Sequence, residues 1–119
     1  VILEKEYTVT SNQTALNMGS GTLEVLATPS GLAMAENTCM LLSDSLTTDE
    51  ETTVGTEINF KHIKASKVDA VIKVVAEIMK HEGKKVSFTF EMFDNDVLVG
   101  KGNHTRYIVN TSEFLSHIK

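Results

Sequence analysis

The stretch Ala27 to Leu42, ATPSGLAMAENTCMLL, sets the tightest limit on what this chain can become. Its spacing predicts a helix. The Thr28 hydroxyl is suited to cap early backbone N–H groups, and Pro29, with no N–H to lose, fits the first helical position. The predicted helix runs to about Leu42 or Ser43 and exits through the polar SDSLTTDEET. Between Pro29 and Ser43 only Glu36 is charged. A helix apolar nearly all round must be buried nearly all round, and a curved antiparallel sheet wrapped about it would achieve that.

The remaining segments supply strands. Ile2 to Thr10 is rich enough in β-branched and aromatic residues to be one, and SNQTALNMGSGT after it is a polar, glycine-bearing connection. In TTVGTEINFKHIKAS, Val54, Ile58, Phe60 and His62 share one parity, while Glu57, Asn59 and Lys61 share the other. That is a half-buried strand with His62 on its apolar face. Val68 to His81 fits two periods. Val68, Val71, Ile72, Val75, Ile78 and Met79 make a helical stripe, whereas Ala70, Ile72, Val74, Ala76 and Ile78 alternate as in a Val- and Ile-rich strand. Val86, Phe88, Phe90 and Met92 alternate clearly, and Asp94 to Asp96 is a turn that sends DVLVGKGNHTRYIV back as a hairpin partner. Gly100 and Gly102 mark a bulge or close approach there, and a short helix is predicted from Thr111.

With 119 residues and no Pro/Gly/Ser-rich linker, residues 1–119 are expected to form one domain. A sheet with one central helix leaves edges and a helix flank to cover, so pairing of two copies into a homodimer is expected.

Charge and composition narrow the function classes. The formal charge is 11 − 16 = −5 and the basic residues form no long block, so a nucleic-acid partner is not expected. No uncharged apolar run approaches the roughly 20 residues of a membrane-spanning helix, and no membrane association is expected. Glu4, Lys5 and Glu6 stand where a secretory signal would be apolar, which favours a cytoplasmic location. The single cysteine, Cys39, fits the helix as a small buried hydrophobe. His62, His81, His104 and His117 lack metal-ligand spacing, and GxSxG, Walker and GxGxxG patterns are missing, so no metal or nucleotide cofactor is expected.

On local grounds each remaining candidate has two readings. Glu36 belongs either to a narrow polar stripe with Asn37, Ser30 or Ser43, or to a functional site, because carboxylates are rarely buried unless paired or functional. His62 is either a satisfied core histidine or a proton carrier, and Thr28 reads locally as a cap. Lys61, Lys64 and Lys67 of KHIKASK are solvated lysines at a strand end, or a cluster for an anionic small ligand.

Taken together, GSGTLEVLATPSGLAMAE, TTVGTEINFKHIKAS, VSFTFEMFDNDVLVGKGNHTRYIV and TSEF resemble the hotdog-fold acyl-CoA thioesterases of the fluoroacetyl-CoA thioesterase-like group, over nearly the whole chain beyond about residue 15. The most specific parts are the ATP-to-Glu helix start, the TTVGT…H strand and the HTRY strand. The resemblance implies an α+β hotdog fold, a curved antiparallel sheet around one long central helix, and reads Val68 to His81 as strand. It implies a catalytic set of Thr28, Glu36 and His62, the Gly55 backbone N–H as oxyanion donor, and active sites at a dimer interface. Arg106 stands where the group also carries arginine and is read as a binding or supporting residue. Lys64 and Lys67, with Lys61, are candidates to meet coenzyme A phosphates, and coenzyme A enters only as part of the substrate. Two departures stand out. ASKVD has Lys67 and Asp69 where relatives commonly have proline and glycine. Met18 to Leu26 holds no aromatic residue where the fluoroacetyl-specific enzyme has aromatic lid residues, so specificity for fluoroacetyl-CoA is not implied.

These residue types suit thioester hydrolysis, in which charge gathers on the carbonyl oxygen and the thiolate leaves with little protonation. The chain must supply an activated nucleophile and a preorganised oxyanion donor. His62 can move a proton near neutral pH, and Glu36 can support it or attack the carbonyl itself. The expected activity is hydrolysis of a small or medium acyl-CoA. A non-catalytic acyl-CoA-binding domain and hydratase-like chemistry are the competing readings. Thr28 and Glu36 lie eight residues apart, about 12 Å along a helix, so either Thr28 folds back or the two act from different protomers.

Overall fold

The computed structural model describes residues 1–118. Its elements run β1 (Ile2–Thr8), α1 (Ala15–Met18), α2 (Thr28–Ser43), β2 (Glu51–His62), β3 (Val71–Glu82), β4 (Lys85–Asp94), β5 (Val97–Asn110) and α3 (Thr111–Ser116). The strands form one sheet in the order β1-β3-β4-β5-β2, with every neighbouring pair antiparallel. The sheet curves around α2, the arrangement of the hotdog fold.

The core lies between α2 and the inner face of the sheet. The helix buries Met34, Ala35, Cys39 and Leu42 against Ile72, Val74 and Ala76 of β3 and Val86, Phe88, Phe90 and Met92 of β4. Each of the larger side chains contributes about 1.5–3 kcal/mol by leaving water. Val68 to His81 thus enters the sheet, because the alternating set Ile72, Val74 and Ala76 is what meets the helix. The far flank of α2, with Leu32, Ala33, Met40 and Leu41, stays partly or fully exposed in the single chain. Asn95 and Asp96, at φ 50 and 63, make the tight β4–β5 turn that positive-φ residues favour. Asp69, standing where relatives commonly have glycine, takes φ 76, a left-handed conformation that aspartate tolerates better than most side chains.

Two expectations are corrected. Ala27, not Thr28, is the N-cap residue of α2, and no side chain caps the helix start. Thr28 lies one residue inside, where its hydroxyl is turned toward β2. The parity of β2 also breaks. A bulge between Gly55 and Glu57 inserts a residue, so Thr53 and Gly55 share the inner face with Ile58, Phe60 and His62, while Val54 stands opposite the outward Tyr107. The first strand is also shorter than read, ending at Thr8.

Candidate active site

The start of α2 lies over the end of β2, and there Thr28 Oγ1 and His62 Nδ1 are 2.8 Å apart. With the imidazole protonated at Nε2, Nδ1 accepts from the threonine hydroxyl. The His62 ring is stacked on Phe60, with centroids 5.7 Å apart and planes 17° from parallel. Phe60 in turn occupies a slot made by two glycines. A Cβ at Gly100 would lie 2.7 Å from the Phe60 ring and one at Gly31 3.3 Å. Burial pushes the His62 pKa below its usual value, opposed in part by the backbone at Lys64, so the ring is neutral and basic near pH 7. The pair faces a cavity of about 290 Å3 walled by Val25, Leu26, Pro29 and Ile63, with Lys64 beside it.

A second group gathers two turns along the helix. Over Gly55 three side chains converge: a Cβ there would lie 3.1 Å from His104 Cε1, 3.3 Å from Arg106 Nη1 and 3.3 Å from Glu36 Oε2. Arg106 is only 8% exposed and donates from Nε to Thr53 Oγ1 (2.8 Å) and from Nη2 to the Thr53 carbonyl (2.9 Å). Thr53 Oγ1 lies 3.0 Å from Ser43 Oγ, which donates to the Met40 carbonyl at 2.7 Å. The guanidinium is thereby tied to the end of α2. Burial lowers the Arg106 pKa and the nearby Glu36 carboxylate raises it, the opposition expected of a buried cation kept charged by an anion.

Within one chain the two groups stay apart. Thr28 and Glu36 are separated by about 12 Å of helix, and Gly55 and His62 by roughly 23 Å of strand. Among the described residues no hydrogen bond links Glu36 to His62.

Other sequence candidates disperse. Lys61 points to the outer face of the sheet with Lys101, beside a recess of about 540 Å3 that neither group reaches. Lys64 borders the Thr28–His62 cavity, and Lys67 lines a different recess beside Ser66 and Asp69. The three lysines of KHIKASK therefore make no common cluster. Cys39 is buried and its thiol pKa is pushed up to about 12 by that burial, so it serves packing. Among the described residues no set of three or more His, Cys, Asp or Glu is placed to hold a metal ion. His104 escaped the sequence reading because it was weighed only as a metal ligand. Its i, i+2 spacing from Arg106 on one strand face was the available signal.

Comparisons with known proteins agree with this geometry. The family model of the fluoroacetyl-CoA-specific thioesterase FlK matches residues 9–112. A solved structure of the fluoroacetyl-CoA thioesterase FlK superposes with a TM-score of 0.93 at 21% identity, covering 99% of this chain and 92% of that one. A hot-dog-like protein from Thermanaerovibrio acidaminovorans gives 0.89 at 15% identity, over 99% and 87% of the two chains. A Thermus thermophilus hypothetical protein described as a thioesterase superfamily member gives 0.89 at 19%, over 98% and 86%. No curated protein matches the chain.

Proposed function

The chain belongs to the family of the fluoroacetyl-CoA-specific thioesterase FlK, and from that premise we propose that it hydrolyses the thioester of a small or medium acyl-CoA to the acid and coenzyme A. The observation that carries this reading is the Thr28–His62 hydrogen bond at the mouth of an aliphatic cavity. An attacking oxygen, Thr28's own or that of a water bonded to it, loses its proton to neutral His62 Nδ1 as it adds to the carbonyl carbon. The backbone N–H at Gly55 receives the oxyanion, and collapse of the adduct expels the thiolate. FlK has been solved with acetyl-CoA. Here the segment from Met18 to Leu26 offers Leu23, Val25 and Leu26 rather than aromatic rings, which suits an aliphatic acyl group.

The two groups serve one substrate in a homodimer. β2 is an edge strand, and α2 leaves Leu32, Met40 and Leu41 without full cover. The other edge, β1, carries Glu4, Lys5 and Glu6 and is poorly suited to further pairing. Antiparallel pairing of two β2 edges about Ile58 and Asn59 would set His62 of each copy across from Gly55 of the other. Mixing Thr28→Ala chains with Glu36→Gln chains tests this, because each heterodimer then holds one intact site and one doubly altered one. Recovered turnover supports shared sites; none rejects them.

The activity itself is tested by free-thiol release from acetyl-, branched short-chain, medium-chain and aromatic acyl-CoA thioesters. His62→Ala should lower turnover of the best substrate by about 100-fold or more. No release from any member, together with tight acyl-CoA binding, would make the domain a binding module.

A further inference from the structure

His104 is 2% exposed, and the arrangement around it fixes where its proton lies. Nδ1 is 2.7 Å from the Glu57 carbonyl and Nε2 is 3.2 Å from Arg106 Nη1. A carbonyl only accepts and a guanidinium only donates, so Nδ1 carries the hydrogen, Nε2 is the acceptor and the ring is neutral. One edge of the ring lies against Gly55, its Cε1 3.1 Å from where a Cβ would stand, and one face lies over Phe88.

Glu57 is the residue at which β2 resumes register after the bulge, and Ile58 is the Cα partner of His104. A bulge frees the inserted backbone from its ladder, and something must then hold its shape. We propose that His104 is the positioning residue of the Glu36–Gly55 half-site: its Nδ1–H pins the bulge at Glu57, and its Nε2 fixes the Arg106 guanidinium beside Glu36. This rests on the thioesterase reading only insofar as turnover reports it. The titratable and charged groups around the ring are Arg106 on its own strand and Glu36 on α2, with Cys39 and Asp44 near the guanidinium, while β2 and β4 present Gly55, Ile58 and Phe88. A doubly protonated ring would turn an N–H toward Arg106 and lose that link. Burial disfavours this state, lowering the His104 pKa.

Glutamine keeps a neutral donor and acceptor side by side, whereas leucine keeps bulk alone. In the full chain, His104→Leu should lower kcat about 10- to 100-fold with KM changed less than threefold, the cost of a displaced half-site. His104→Gln should restore kcat to within about fivefold of wild type. A second readout needs no turnover: amide hydrogen exchange at Gly55 and Thr56 should quicken at least tenfold in His104→Leu and stay near wild type in His104→Gln. Nitrogen chemical shifts of the wild-type ring should report hydrogen on Nδ1, a test that holds even if the leucine variant fails to fold. Equal damage from glutamine and leucine, unchanged exchange at Gly55 in the leucine variant, or hydrogen on Nε2 would each overturn the proposal. A wild type that turns over no thioester, yet shows the predicted exchange pattern and tautomer, would reject the thioesterase reading and leave the positioning role standing.

Discussion

Thr28 and His62 meet through one hydrogen bond at the exposed start of a helix, whereas Glu36, Gly55, His104 and Arg106 meet beneath β5, where the arginine is held by a connected series of bonds. The contrast follows from what each group has to do. A proton carrier must exchange with substrate and water, so its partner is another side chain at the mouth of a cavity. Groups that set a field for a developing oxyanion work best when they cannot reorient, and burial with satisfied hydrogen bonds supplies that rigidity. In this chain rigidity and exposure are assigned to different stretches of the same helix and the same strand.

If that division is right, the two groups separate stability from activity in opposite proportions. Arg106→Met leaves the Thr53 carbonyl and His104 Nε2 unpaired in the interior, and should cost about 3 kcal/mol or more of unfolding free energy in a urea titration. Thr28→Ala removes one exposed hydroxyl that caps nothing, and should stay within about 1 kcal/mol. Turnover in that same variant should fall by about 100-fold, with Thr28→Ser retaining most of it. A Thr28→Ala protein as unstable as Arg106→Met would erase the distinction.

The exposed pair has one rigid support, and a smaller effect sharpens the comparison. Gly100→Ala places a methyl 2.7 Å from the Phe60 ring, which must shift and carry the stacked His62 with it. About 1–3 kcal/mol of stability should be lost, together with roughly tenfold in turnover. Phe60→Leu added to Gly100→Ala should recover part of the stability, a coupling readable in a double-mutant cycle. Additive losses would mean that the aromatic ring is not what the glycine accommodates.

The ease with which these parts were legible in the sequence follows the same division. The helix, the strands of β4 and β5, the turn at Asn95–Asp96 and the odd carboxylate Glu36 could all be read, because each rests on local period or on one residue out of place. The family resemblance was needed to choose strand over helix for Val71–Glu82, where two periods coexist. The bulge was invisible. Val54, Ile58, Phe60 and His62 keep even numbers straight through it, so simple alternation put Val54 on the wrong face and gave no reason for Gly55 to meet Glu36. Thr28 was misread locally as a cap, since a hydroxyl before proline carries that signal whether or not a histidine from a distant strand claims it.

The two histidines offer the finest separation, because burial depresses both pKa values while only one is read as the base. For each, the folded pKa lies below the unfolded value near 6.5, so the neutral ring's contribution to stability is complete above about pH 6.5 and is lost as pH falls through the folded pKa. The slope is at most about 1.4 kcal/mol per pH unit for each ring. In kcat/KM the His62 base should produce an acid limb with its midpoint below 6.5. His104→Gln removes one titrating ring and keeps its hydrogen bonds, so it should flatten the acid loss of stability while leaving that kinetic limb in place. Denaturant titrations and rate profiles from pH 5 to 8 measure the two responses side by side. If the kinetic limb moves and the stability slope does not, the proton that matters for turnover sits on His104, and the roles assigned to the exposed and buried halves exchange.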